Sequence, residues 1–359
     1  MEARSGAVRR LAVLLTLALA AAGCGPGGQT GRATHRTAPP VSNWPVLGAD
    51  RPVLGVDLYS LGNYPAAEVK ADGQRTLAYI KNVLKADAVG IVWNFFATSD
   101  NSNAVAATSA TLSASNVAIL TRIAKQDDLL VEYRPVILVP REPNNWAGKI
   151  APSDPSAWFS SYYRAELPYL RTAQQLRVQE FVTATEMHGM NNSPLWPSFF
   201  ARVSHAYHGV VSYATWDYDY FPPDSQIPPL KYLGMDMYWH MKLPQHATSA
   251  QVTQKWELLF GELPVSVVQR TAIDETGIQA RAGAYADPGA LGLPGRQSDQ
   301  VQANWFLAAC ETVHKYHMRG VFFWKVDLTD NPAHPASSLS TFEGRTGATA
   351  ISDCARILH

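Results

Sequence analysis

The chain has 359 residues, with 30 basic and 30 acidic side chains, so no net field would draw it to nucleic acid or to an anionic surface. Hydrophobic residues make up 47% and charged residues 17%, with 10 Trp, 15 Tyr and 12 Phe, a composition that supplies a large core and excludes a mostly disordered chain.

Arg4, Arg9 and Arg10 precede LAVLLTLALAAA at 11–22, an apolar run too short to span a bilayer comfortably, which reads as a secretory signal. It continues into LAAAGC, small residues ending on Cys24, and this resembles a bacterial lipobox. Residues 1–23 are then a lipoprotein signal peptide, and Cys24 carries the lipid that holds the mature protein on the outer face of the cytoplasmic membrane. Ordinary cleavage and secretion is the alternative. The Gly-, Pro- and Thr-rich stretch over 24–50 lacks apolar periodicity and reads as a flexible tether, leaving 51–359 as the folded body. Cys310 and Cys354 remain; after export, a disulfide between them and two separate buried thiols are both open.

From Arg51 onward, short runs rich in Val, Ile, Tyr and Phe alternate with stretches of helical period. The runs are PVLGVDLY (52–59), AVGIVWNF (88–95), LVEYRPVILVP (130–140), EFVTATE (180–186), GVVSYATW (209–216), YLGMDMY (232–238), PVSVVQRTAIDE (264–275) and GVFFWKVD (320–327). Helical segments such as SNVAILTRIAKQ, DPSAWFSSYYRAELPYLRTAQQL, WPSFFARVSHAYH and SDQVQANWFLAACETVHKYH open at or near Ser, Asp or Pro. Eight strands alternating with helices predict a single (β/α)8 barrel. An open doubly wound sheet would alternate likewise, but GVDLYSLGNY at the first strand carries no glycine-rich phosphate fingerprint.

In such a barrel the chemistry sits at the C-terminal ends of the strands. Glu186 closes the fourth predicted strand and Glu275 the seventh; the separation, 275 − 186 = 89 residues, is three βα units of about 30 residues each. Two carboxylates facing each other across a sugar-sized gap are the minimum apparatus for glycosidic cleavage, one to protonate the leaving oxygen and one to attack the anomeric carbon. Each alone would read as a surface acid or an ion-pair partner; their matched positions favour chemistry.

The segments WAGKIAPSDPSAWFSSYYRAELPYLRTAQ, FVTATEMHGM, HGVVSYATWDYDYF, YLGMDMYW, IDETGIQARAGAYADPG and GVFFWKVD, in order from about 146 to 327, resemble glycoside hydrolase family 113. The described members of that family are retaining endo-β-1,4-mannanases on a (β/α)8 barrel. The resemblance implies Glu186 as acid/base and Glu275 as nucleophile. It implies Trp324 as the floor under the cleaved sugar and Tyr238 as the hydroxyl that holds the nucleophile. Thr185 departs from the wider clan, where many members carry an Asn that binds the sugar 2-hydroxyl. Tyr213, Trp216, Asp217 and Asp219 are further candidates near the mouth, and Asp57, Tyr59, Trp93 and Asn94 are rim candidates on the first two strands.

No cofactor or metal is called for. His205 and His208 share a spacing of three but no H-E-x-x-H arrangement, and there is no G-x-S-x-G elbow. The expected partner is a polysaccharide or oligosaccharide, with membrane contact only through Cys24 and no nucleic acid. Two other readings stand beside hydrolysis of β-1,4-mannan: a surface lipoprotein that binds glycans without cleaving them, and a retaining glycosidase or transglycosylase acting on another envelope glycan. A pure binder has no need of two opposed glutamates.

Overall fold

The computed structural model describes residues 44–140, 142, 145–221, 229–335 and 337–359; the expected signal peptide and Cys24 lie outside the described residues. The order is β1 (Val53–Tyr59), α1 (Ala66–Asn82), β2 (Ala88–Phe96), α2 (Ala114–Gln126), β3 (Leu130–Leu138), α3 (Pro155–Leu176), β4 (Glu180–Thr185) and α4 (Trp196–Ala206). It continues with β5 (Val210–Trp216), β6 (Leu233–Asp236), α5 (Ser249–Phe260), α6 (Val265–Val268), β7 (Thr271–Thr276), α7 (Asp299–Tyr316), β8 (Gly320–Asp327) and α8 (Thr346–Leu358). The eight strands pair in parallel in chain order and β8 returns to β1, closing a (β/α)8 barrel.

Local chemistry sets where the helices begin and end. Ser113 accepts from the Asn116 N–H at the start of α2, and Asp154 from the Ala157 N–H at the start of α3. Thr248 and Gln251 form a reciprocal capping box on α5. Arg177 and His317, both left-handed, turn the chain from α3 and α7 into the next strands.

The run PVSVVQRTAIDE is not one strand, as its valines suggest. Val265–Val268 form the single turn α6 behind Pro264, and β7 begins only at Thr271. The reason is pairing: β6 enters register with β7 at Leu233 opposite Thr271, so the residues before Thr271 have no neighbouring strand to bond.

Between barrel and helices lies a continuous apolar layer that includes the buried Trp93, Trp158, Trp256 and Trp305. At the N-terminal end of the barrel the folded part reaches back before Arg51. Leu47 is buried with Val53, Ala88 and Phe322, and its carbonyl accepts from Arg319, which also pairs with Glu180. Cys310 and Cys354 form a disulfide joining α7 to α8, with Cα atoms 5.7 Å apart.

The barrel lumen is polar. Asp57, Glu132, Arg134, Asp236 and Asp274 are all buried within it. Gly90 and Gly234 leave the space: a Cβ on Gly90 would run into the Asp57 carboxylate, and one on Gly234 into that of Asp274. This buried charge lies directly beneath the strand ends where Glu186 and Glu275 emerge.

Candidate active site

The register between β6 and β7 slips between Met235 and Asp236, leaving Asp236 opposite Glu275, and the register between β7 and β8 slips between Ile273 and Thr276. In a regular strand the neighbours Asp274 and Glu275 would point to opposite faces. The irregularity re-aims them: Asp274 fills the lumen beside Gly234, while Glu275 opens into the cleft above. Glu275 Oε1 accepts a 2.6 Å hydrogen bond from the Tyr238 hydroxyl, and Oε2 accepts from Arg134 Nη1 at 3.2 Å. Burial pushes the Glu275 carboxyl upward, and the Arg134 cation, the Tyr238 hydroxyl and Lys325 pull it back.

Arg134 is wholly buried and serves three acids at once, pairing with Asp57, with Asp236 at 3.3 Å and with Glu275. It stands inside the expected strand LVEYRPVILVP, where the sequence reading passed over it. Two charges, Glu132 and Arg134, within a run of otherwise apolar and aromatic residues were the available signal, because such charges are kept inside only with partners.

Glu186 follows the last residue of β4 with φ +52°, a left-handed conformation rare for a residue with a side chain. Backbone bonds on both sides hold it. Its N–H donates to Ala214 O at 2.8 Å, and its carbonyl accepts from the His188 N–H at 2.9 Å. The next N–H, of Met187, donates to the Tyr213 hydroxyl at 3.2 Å, and that hydroxyl donates to Asn191 at 2.5 Å. Asn191 in turn donates to Asp219, which also meets His188 at 2.6 Å. Tyr213 and Asp219 therefore support the Glu186 turn from behind.

The Glu186 carboxyl is pushed up to about 8, by burial first and by the charge of Glu275 second, with the Trp146 N–H opposing. The Trp146 indole N–H donates to Glu186 Oε2 at 2.6 Å. Trp146 opens the quoted segment WAGKIAPSDPS, yet it was not singled out there; nothing in the chain order places a loop after β3 over the end of β4.

The remaining expected residues divide by position. Trp216 and Trp324 line the cleft with Tyr59, Tyr218 and Tyr238. The Tyr59 and Trp324 rings lie 5.1 Å apart, and Trp324 joins Lys325 through a cis peptide. Asp217 lies beneath the cleft rather than on it. It accepts from the N–H groups of Tyr238 and Tyr218, and burial pushes it up to about 8 against those bonds. Asp57 sits in the lumen below, bound to Arg134, with burial raising it to about 7 against that cation. Asn94 is also below the surface, where it accepts from the Tyr59 hydroxyl at 2.8 Å.

Trp93 requires a correction, since it is not at the rim. It stacks on Tyr169 at 4.5 Å and meets Tyr133 and Phe181 edge-on, in the layer between barrel and helices. Successive residues of a strand face opposite sides, so with Asn94 turned into the barrel, Trp93 must turn outward.

Glu186 and Glu275 thus open into one cleft of about 760 Å³ at the C-terminal ends of the strands. Its walls are aromatic: Trp146, Trp216 and Tyr218 form one contiguous group, Tyr59 and Trp324 another, and Tyr238 lines the cleft as well. One carboxyl is poised to hold a proton near neutral pH and the other is braced by a cation and a hydroxyl, the division of labour that acid-assisted displacement at a sugar carbon needs. Among the described residues, no group of three or more His, Cys, Asp or Glu side chains is arranged to hold a metal ion.

Comparison with known proteins agrees with the geometry. The model of Glycoside Hydrolase Family 113 matches residues 69–343. Among solved structures, a family 113 β-1,4-mannanase superposes with a TM-score of 0.68 at 17% identity, over 85% of this chain and 99% of that one. The family 113 β-mannanase of Alicyclobacillus acidocaldarius has the same TM-score at 18% identity, over 87% and 99%. A more distant barrel, a GH5_18 protein from Streptomyces cattleya solved with GlcNAc, has a TM-score of 0.55 at 14% identity, over 85% and 80%. Among curated proteins, no sequence matches the chain. With more than three quarters of its length matched, and two glutamates opening into one aromatic cleft, the chain belongs to Glycoside Hydrolase Family 113.

Proposed function

We propose that the protein hydrolyses a β-linked polysaccharide, β-1,4-mannan first among them, with retention at the anomeric carbon. The observation that carries this reading is the contrast between two glutamates lining one cleft: Glu186 pushed up to about 8, Glu275 held by Arg134 and Tyr238. In the first step the Glu275 carboxylate bonds to the anomeric carbon while the bond to the leaving oxygen breaks, and Glu186 supplies that oxygen with a proton. In the second step Glu186, now ionised, takes a proton from water, whose oxygen displaces Glu275 from the sugar. Trp324, in the cleft beside Tyr59, offers an indole face to the apolar side of the pyranose. Mannan is favoured because, among the similar structures, one is described as a family 113 β-1,4-mannanase and another as a family 113 β-mannanase. Export belongs to the same reading, with lipid on Cys24 tethering the barrel outside the cell through the segment that precedes Leu47.

The test is proton NMR of fresh products from mannohexaose and from other β-linked oligosaccharides. Retention predicts that the β anomer appears first; an α anomer first would refute the double displacement. Glu275→Ala should bind without turnover, and Glu186→Ala should regain activity with azide as external nucleophile on 2,4-dinitrophenyl β-mannobioside, whose leaving group needs no proton. If the wild-type protein turns over no glycan in the panel, hydrolysis is the wrong reading and glycan binding replaces it.

A further inference from the structure

The loop after β3 is built to place one indole on one carboxylate oxygen. Trp146 donates its N–H to Glu186 Oε2 at 2.6 Å, and its ring meets Trp216 edge-on at 5.4 Å. Two glycines make this close approach feasible. A Cβ on Gly148 would run into the Trp146 ring itself, so only glycine lets the indole fold back over its own loop. The Gly148 carbonyl accepts from the Gly189 N–H at 2.7 Å, pinning the loop to the turn that follows Glu186. A Cβ on Gly189 would come within 2.5 Å of the Ile150 carbonyl oxygen, so the turn too must be bare at that point. The segments W-A-G and E-M-H-G therefore lock together across two loops, with the indole–carboxylate bond at the centre.

We infer that Trp146 is a positioning residue for the proton donor: its N–H holds Glu186 Oε2, so the proton passed to the leaving sugar sits on Oε1. This rests on Glu186 being the acid/base of the proposed reaction. A protonated carboxyl has one carbonyl and one hydroxyl oxygen, and an N–H donor is met best by the carbonyl oxygen, the better acceptor, which favours the acidic proton on the other. The first step then balances simply: the proton leaves Oε1 for the glycosidic oxygen, the electrons of the breaking C–O bond remain on that oxygen, and Glu275 bonds to the carbon. A donor to the ionised form also lowers the carboxyl's pKa, and the Trp146 N–H acts in that direction. The other charges acting on Glu186 are Glu275 from β7 and Asp217 beyond β5, which raise it, and Arg134 from β3, which lowers it.

Trp146→Phe keeps the ring and removes the N–H. With a mannooligosaccharide, whose leaving group needs a proton, kcat/KM should fall about ten-fold or more, while with 2,4-dinitrophenyl β-mannobioside, whose leaving group needs none, it should fall less than about two-fold. The alkaline limb of kcat/KM should move to higher pH by about half a unit or more. Equal losses on the two substrates, with an unmoved limb, would reduce Trp146 to a loop support and overturn the inference. A substrate-free measurement separates this from the reading beneath it: titration of ¹³C-labelled glutamate carboxyls by NMR, with Glu186 assigned from Glu186→Gln. A higher Glu186 midpoint in Trp146→Phe supports the inference even if mannan is not the substrate; an unchanged midpoint overturns it. Should Trp146→Phe fail to fold, Gly148→Ala displaces the indole without deleting it and should move the same midpoint upward.

Discussion

At the scale of single residues, the site is governed by what each carboxylate touches. Tyr238 donates to Glu275 at 2.6 Å, a bond to the carboxylate that, in the proposed reaction, attacks in its ionised form. Hydrogen bonds to charged groups contribute about 1.5–3 kcal/mol, so Tyr238→Phe should lower kcat/KM roughly ten- to hundred-fold. The sign in pH follows from the same bond. Losing a donor raises the Glu275 pKa, so the acid limb of the activity profile should move to higher pH; an acid limb that stays in place would show that Tyr238 does not hold this charge. The two glutamates were legible in the sequence because each ends an apolar run, three βα units apart. Their partners were less so. Trp93 and Asn94 could not both face the lumen, and the alternation of a strand decides between them only once one side is known. Arg134 and Trp146 come from β3 and its following loop, and their meeting with Glu275 and Glu186 depends on barrel closure, which no local pattern encodes.

At the scale of elements, glycines inside the strands shape the lumen. A methyl on Gly234 would meet the Asp274 carboxylate and come within 3.0 Å of the Ala214 Cα, in a barrel interior with no free space to give. Gly234→Ala should therefore destabilise by about 1–3 kcal/mol in urea unfolding, whereas Gly62→Ala, which meets only Tyr64 at ordinary contact distance, should change little. The disulfide acts between helices. It closes a separation of 44 residues across α7 and α8, so Cys310→Ser should lower stability by about 2–4 kcal/mol, and a reducing agent should lower the wild-type melting temperature but not that of the variant. Most strand positions were legible from apolar runs, and GVFFWKVD matches β8 residue for residue. The failure at α6 is instructive: valines favour a strand only where a neighbouring strand exists to pair with, and β6 is just four residues long.

At the scale of the whole molecule, the barrel encloses more acid than base along its axis, and the surplus should appear as a pH dependence of stability. Burial pushes Asp57 up to about 7, and Glu186 and Asp217 up to about 8. In the unfolded chain these groups titrate near pH 4, so across the interval between the two values the folded protein binds more protons, and its stability falls as pH rises. The melting temperature should therefore be higher at about pH 5.5 than at about pH 8.5; a rise across that window would mean that the buried acids are ionised and paired. In the proposed reaction the same enclosure lets Glu186 keep its proton at the end of β4 while Glu275, at the end of β7, attacks. That division is tested most directly by trapping the intermediate with 2,4-dinitrophenyl 2-deoxy-2-fluoro-β-mannoside and mapping the adduct by peptide mass spectrometry. The account predicts one fluorosugar per chain, esterified to Glu275. An adduct on any other residue, or turnover of the natural glycan that gives the inverted anomer with no adduct formed, would contradict it.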